Sequence, residues 1–265
     1  MTFADLIKNF FTNKDFLPSA ENIPGTMWTP LHFIFALIVA SIIAVGVIFA
    51  RKRDEKTLKL IFTVLWAALV TLEVIKITWE TVTSRNAQFE WGGNLPLYPC
   101  SMFMFFTPFA IWGKGYVRKA GCGYVCTLGL IGGLINFVYP ATILGNYSCI
   151  SFAGFHTFFY HGTMVFTALT MLLSGYHSYA FAEKWWELFI AFIPCLIFSI
   201  PVNIVNTVLG SDYMFFKCNS FFLAPIGAAT DDWVSMLIMY AVYAVAHAVF
   251  YLPSFIAKKV KAVRN

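Results

Sequence analysis

The sequence predicts an all-α membrane protein. It reads as a polytopic bundle of seven transmembrane helices, N-terminus outside and C-terminus inside, preceded by a short interfacial amphipathic helix. Three observations predict this. Of 265 residues, 59% are hydrophobic and only 12% are charged, whereas a soluble domain averages about 25% charged. The apolar residues gather into stretches close to the ~20 residues that span a bilayer. Lysine and arginine alternate from link to link, as the positive-inside rule requires of a multi-pass chain. The formal net charge of +5 therefore marks cytoplasmic loops, and no nucleic-acid partner is expected.

At the start no basic stretch runs into an apolar core, so no cleavable signal peptide is expected. Phe3, Leu6, Ile7, Phe10 and Phe11 follow one helix face, with Asp5, Lys8 and Asn9 off it, which suggests a helix lying in the interface; a loosely packed tail is the alternative. Spans are expected at 30–50, 58–80, 95–112, 120–144, 155–176, 185–209 and 232–257. Gly129, Gly132, Gly133 and Pro140 invite kinks in the fourth, Pro194 and Pro201 in the sixth. The organisation is then an extracellular segment (1–29), a seven-helix domain (30–257) and a basic cytoplasmic tail (258–265). The inner links hold Arg51, Lys52, Arg53, Lys56 and Lys59, then Lys114, Arg118 and Lys119; the tail holds Lys258, Lys259, Lys261 and Arg264. The outer links hold Arg85, then no basic residue, then Lys217, and the fifth link holds only Lys184. The longest irregular stretch, 210–230, carries Phe215, Phe216, Phe221, Phe222 and Leu223, suited to an interfacial anchor or a flap over a lipid-facing site.

The third span opens with Leu-Pro-Leu-Tyr-Pro-Cys-Ser at 95–101. Proline suits a first helical turn because its missing N–H would have been unpaired anyway, so Cys100 falls near a helix N-terminus. The helix dipole there favours a thiolate, and apolar surroundings oppose it. At 1.5 Å per residue Cys100 lies roughly 5 to 8 Å below the outer boundary, and Glu73 and His161 roughly 10 Å below it. Lys76 and Glu80 share a face with Glu73. His32, His156, Asn203 and Asn206 fall in the same outer third. Ionisable residues within a span are costly and mark a functional site or a paired network by default. Cys122, Cys126 and Cys195 read as inert small hydrophobes, His247 as a hydrogen-bonded core residue, and His177 as a surface residue.

No metal spacing is persuasive and no cofactor is expected. Cys149 and Cys218 both face outward, where a disulfide is allowed. Asn146-Tyr147-Ser148 has the glycosylation spacing.

Leu95-Pro96-Leu97-Tyr98-Pro99-Cys100-Ser101, Phe159-Tyr160-His161-Gly162, Pro201-Val202-Asn203 and Gly210-Ser211-Asp212-Tyr213-Met214-Phe215 together resemble the YwaF family of bacterial integral membrane proteins. That family is similar to the eukaryotic transmembrane protein 164 phospholipid acyltransferases. The resemblance implies acyl transfer through a cysteine with a histidine base, at Cys100 and His161. Tyr98 stands where bacterial relatives often carry histidine, and Asp212 where they carry asparagine. The expected function is thus a thiol-dependent acyltransferase or lipid hydrolase of the cell membrane. Its site faces the extracellular side, and membrane lipids are both substrate and solvent. The alternative is a transporter or ligand-binding protein using the Glu73 and Lys76 layer.

Overall fold

The computed structural model describes residues 2–181, 184–217 and 231–264. Among them no strand forms, and the helices are α1 (Phe3–Lys8), α2 (Pro30–Ala50), α3 (Glu55–Thr83), α4 (Met102–Trp112), α5 (Gly115–Tyr124), α6 (Leu130–Val138), α7 (Ala141–Leu144), α8 (Phe152–Leu173), α9 (Ile193–Leu209) and α10 (Asp232–Arg264). The chain divides into two compact units: Met1–Glu90 with Leu130–Ser174, and Trp91–Gly129 with Gly175–Asn265.

In the first unit α8 is the central helix, touched by α2, α3, α6 and α7. Fifteen of its 22 residues are buried, so its histidines and threonines face protein rather than lipid. Its start is set by Ser151, whose hydroxyl accepts the Gly154 N–H, the usual service of an N-cap serine. One apolar cluster joins Ala36, Leu144, Cys149 and Phe158, with Phe35 and Phe137 against it. Another joins Trp79, Tyr147, Phe152 and Ala153, with Phe10 and Leu17 against it.

The stretch ahead of α2 is packed onto this unit, unlike a loose tail. Phe10 O accepts the Phe152 N–H at 2.9 Å, Phe11 O accepts Trp79 Nε1–H at 3.0 Å, and Asn13 donates to Glu80 O at 3.2 Å. Trp28, held at φ +66°, donates its N–H to His32 Nδ1 at 3.1 Å. Thr29 caps α2 and Pro30 occupies its first turn.

In the second unit α5 packs on α4, on α9 and on the 3-10 helix Trp185–Phe192. Five residues of π-helix, Val125–Gly129, follow α5. Close approach is built from small residues: a β-carbon on Gly123 would lie 2.7 Å from Ala191 Cβ and 2.8 Å from Tyr251 Oη. Two of the four expected kink positions in the fourth span coincide with irregular backbone: Gly129 closes the π-helical stretch 125–129, and the helix is interrupted at Pro140, between α6 and α7, whereas α6 passes Gly132 and Gly133 without a break. Pro194 starts α9 instead of bending it, because a first turn has no use for that N–H.

Among the described residues, five helices are long and apolar enough to cross a membrane: Pro30–Ala50, Glu55–Thr83, Gly115–Leu144, Trp185–Leu209 and Asp232–Ala262. Two of the expected spans fall short for different reasons. Helix α8 has the length, but its interior polar residues dilute its hydropathy. The apolar helix Pro99–Trp112 covers only about 21 Å at 1.5 Å per residue, less than the ~30 Å hydrocarbon core.

Candidate functional site

The first unit gathers Glu73, Lys76, His32, His156 and His161. Residues three, four and seven apart share a helix face, and this places Glu73, Lys76 and Glu80 together on α3. Lys76 and Glu80 pair with each other as their spacing allows, while Glu73 finds its partner on another helix. Glu73 Oε2 meets His156 Nε2 of α8 at 3.1 Å, and Lys76 Nζ meets Glu80 Oε2 at 2.6 Å. His156 and Glu80 are buried. Each charge thus has its partner at a depth where an unpaired one is expensive.

Five residues along α8 from His156, His161 is partly buried. Its Nδ1 lies 2.8 Å from the Thr157 carbonyl. A carbonyl can only accept, so Nδ1 carries the proton and Nε2 holds the lone pair. Glu73 and His156 are near enough to act on this ring electrostatically. The arrangement is an imidazole whose Nδ1 is held as a donor, with a carboxylate nearby. His32 is fully buried and serves the entry to α2 through the Trp28 N–H.

The second unit holds Tyr98, Cys100, Asn203, Asn206 and Asp212. Cys100 is the middle residue of a 3-10 turn, Pro99–Ser101, that leads into α4. Two bonds fix the turn: the Ser101 N–H donates to Tyr98 O at 2.9 Å, and Tyr124 Oη–H donates to Pro99 O at 2.5 Å. The thiol is partly buried. Tyr98 stacks edge-on against Tyr213, with centroids 5.1 Å apart, and leans on Phe215 at 5.7 Å.

Asn206 organises the stretch that follows α9. Its Oδ1 accepts from Tyr213 N (2.8 Å) and Ser211 Oγ (3.0 Å), and its Nδ2 donates to Tyr213 O (2.9 Å). Tyr213 Oη in turn donates to Trp91 O and accepts the Leu95 N–H. These bonds tie the stretch before Cys100 to the Gly210–Phe215 motif. Met214 and Phe215 take left-handed backbone angles, φ +59° and +57°, which bulky residues adopt only when held there. Tyr243 Oη–H supplies one restraint at Met214 O, 2.8 Å away. Burial pushes the Asp212 carboxyl above the usual carboxylate range, against the pull of the Lys217 N–H on its Oδ1 at 2.7 Å. Asn203 donates to Tyr240 Oη, which donates to Ser199 Oγ.

A model of the TMEM164 family matches residues 27–257. The chain belongs to the TMEM164 family. No curated protein and no solved structure matches it.

This TMEM164-family chain is a membrane protein, and several of its polar residues go unannounced by spacing. His177, expected at the surface, is 8% exposed and bonded through Nε2 to Tyr251 Oη at 3.0 Å. It sits in a link, but Tyr251 and Tyr179 close over it. His247 is a core residue as read from sequence: its Nδ1 bonds the Thr127 hydroxyl and its Nε2 faces Cys195 Sγ at 3.6 Å. Tyr124, Thr157, Tyr213 and Tyr243 hold site residues in place; Tyr213 lies in the Gly210–Phe215 motif and Thr157 stands four residues before a histidine, whereas Tyr124 and Tyr243 leave no signal in sequence. Cys149 is buried beneath Gly25 and Leu31, and Cys218 lies outside the described residues. No cluster of three metal-ligating side chains occurs among the described residues.

Proposed function

We propose that this protein transfers or hydrolyses acyl groups of outer-leaflet lipids, with Cys100 as nucleophile and His161 as base then acid. What carries the reading is the fixed tautomer of His161: with Nδ1–H bound to Thr157 O, the basic lone pair is already on Nε2. Support on the cysteine side comes from its turn, pinned by Tyr124 and the tyrosine-rich stretch around Tyr98. Membership in the TMEM164 family adds the resemblance to phospholipid acyltransferases.

The thiol proton passes to His161 Nε2 as sulfur bonds the ester carbonyl carbon. An amide N–H of Asn203 or Asn206 stabilises the oxyanion; each keeps one amide hydrogen beyond the bond it already makes. The C–O bond breaks, the leaving alkoxide takes the proton from the imidazolium, and a thioester remains. A second lipid hydroxyl or water gives its proton to His161, bonds the carbonyl carbon, and expels the Cys100 thiolate, which His161 reprotonates. No cofactor is required. The Glu73–His156 contact contributes a nearby carboxylate for the imidazolium stage. The reading includes seven spans, an N-terminus outside, and a site toward the extracellular face of the cell membrane.

The test is a cysteine-reactive lipid probe applied to membranes holding wild type, Cys100→Ala or His161→Ala. Labelling should vanish in the first variant and fall by about 10²-fold or more in the second, the usual worth of a general base. Undiminished labelling of Cys100→Ala overturns the nucleophile.

A further inference from the structure

One buried polar group of the first unit has no part in these steps. Asn136 lies on α6 among Gly132, Gly133, Leu134, Ile135 and Phe137. It is 8% exposed, and its Oδ1 has no hydrogen-bond partner among the described residues. An enclosed amide oxygen without a donor is costly in any protein. The cost is greater at bilayer depth, where bulk water does not reach.

The approach of α6 to α8 fixes where this amide stands. A β-carbon on Gly133 would lie 2.7 Å from Val165 Cγ2 and 3.0 Å from the His161 carbonyl. Further along α6, Phe137 packs on Phe158 with centroids 5.7 Å apart. The two helices therefore run antiparallel through this contact. Asn136, three residues past Gly133 and on its face, is level with the turn of α8 that runs from Thr157 to His161.

We infer that Asn136 is a positioning residue for the acyl acceptor: its carboxamide receives the hydroxyl that resolves the thioester. The inference rests on His161 acting as base. The enclosed oxygen calls for a donor, and a hydroxyl both donates and accepts, so it suits the carboxamide whichever way the amide is turned. On docking, the hydroxyl donates its one O–H to the carboxamide oxygen; for the reaction that O–H turns from Asn136 to His161 Nε2, which takes the proton as the hydroxyl oxygen bonds the thioester carbon. The C–S bond breaks, and Cys100 sulfur recovers a proton from the imidazolium. An alcohol that binds Asn136 excludes water from the same place, so this residue sets the balance of transfer against hydrolysis.

Two arms test it. In the first, protein in nanodiscs receives an ester donor and a monoacyl glycerophospholipid, and transfer and hydrolysis are measured together. Asn136→Leu should raise KM for the hydroxyl lipid and lower the transfer-to-hydrolysis ratio about tenfold, the equivalent of one hydrogen bond of ~1.4 kcal/mol. Asn136→Asp, which keeps an acceptor oxygen, should recover part of that ratio. The leucine variant should also melt at a higher temperature, since it removes an unpaired polar atom; a purely structural asparagine predicts the reverse. An unchanged ratio overturns the inference.

The second arm does not depend on chemistry at the cysteine. A photoreactive monoacyl lipid and its methyl-ether counterpart, lacking the hydroxyl, are crosslinked to Cys100→Ala protein. The hydroxyl lipid should be preferred, and the preference should be lost on adding Asn136→Leu. Equal crosslinking of both lipids, or a preference that survives the leucine, means the amide holds a trapped water or nothing and overturns the inference. Failure of wild type to label at Cys100 sinks the catalytic reading instead, and leaves this binding arm to decide Asn136.

Discussion

Burial governs the proton affinity of His177. Enclosure under Tyr251 and the nearby Arg118 charge lower its pKa from 6.5 to about 4. In the unfolded chain the same ring takes a proton near 6.5. Between those two values the unfolded state binds more protons, so stability falls as pH falls from about 6.5 toward 4, by at most ~1.4 kcal/mol per pH unit. Thermal melts of the detergent-solubilised protein should show that decline. His177→Gln should be less stable at pH 7, having altered the bond to Tyr251, and should show a flatter dependence over this range. A wild-type melting point independent of pH across the window refutes the assignment. Sequence gives no warning of this residue. A link between spans reads as exposed, and only the fold brings Tyr251, 74 positions away, over the ring.

At the scale of elements, helical spacing carried the arrangement of α3 and then ran out. It placed Glu73, Lys76 and Glu80 on one face. It could not say which neighbour each would find, because the choice depends on how α8 is rotated. That rotation gives Glu73 to His156 and leaves Lys76 to Glu80. The proline positions show a similar limit. Pro194 and Pro201 look alike in sequence, yet one begins α9 and the other lies inside it. The Lys76–Glu80 pair yields a double-mutant prediction. Lys76→Met strands a largely buried carboxylate and should cost about 3–5 kcal/mol, while Lys76→Met with Glu80→Leu should restore most of it. The readout is the unfolding free energy of solubilised protein. A double variant no better than the single one would show that the pair does not act as a unit.

At the scale of the whole molecule, the number of crossings decides on which side of the membrane each chemical group stands. Among the described residues five helices are long and apolar enough to cross, and the two in question, Pro99–Trp112 and α8, change the map in a way that can be read at two positions. If both cross, Lys114 is inside and Asn146 outside. If neither crosses, the two positions exchange sides, while Lys52 stays inside and Asn86 outside. The charges favour seven: Lys114 caps the start of α5 and Arg118 and Lys119 lie in its first turns, a basic cluster at a helix end that the cytoplasmic side retains. Helix α8 can afford its polar residues across a bilayer because most of it is buried within its own unit. Single cysteines at the exposed positions Lys52, Asn86, Lys114 and Asn146, in a cysteine-depleted background, should separate the two maps. An impermeant maleimide added to intact cells should label Asn86→Cys and Asn146→Cys. It should reach Lys52→Cys and Lys114→Cys only after permeabilisation. Labelling of Lys114→Cys but not Asn146→Cys in intact cells would give the five-span map, and with it a Cys100 turn that dips into the outer leaflet and returns.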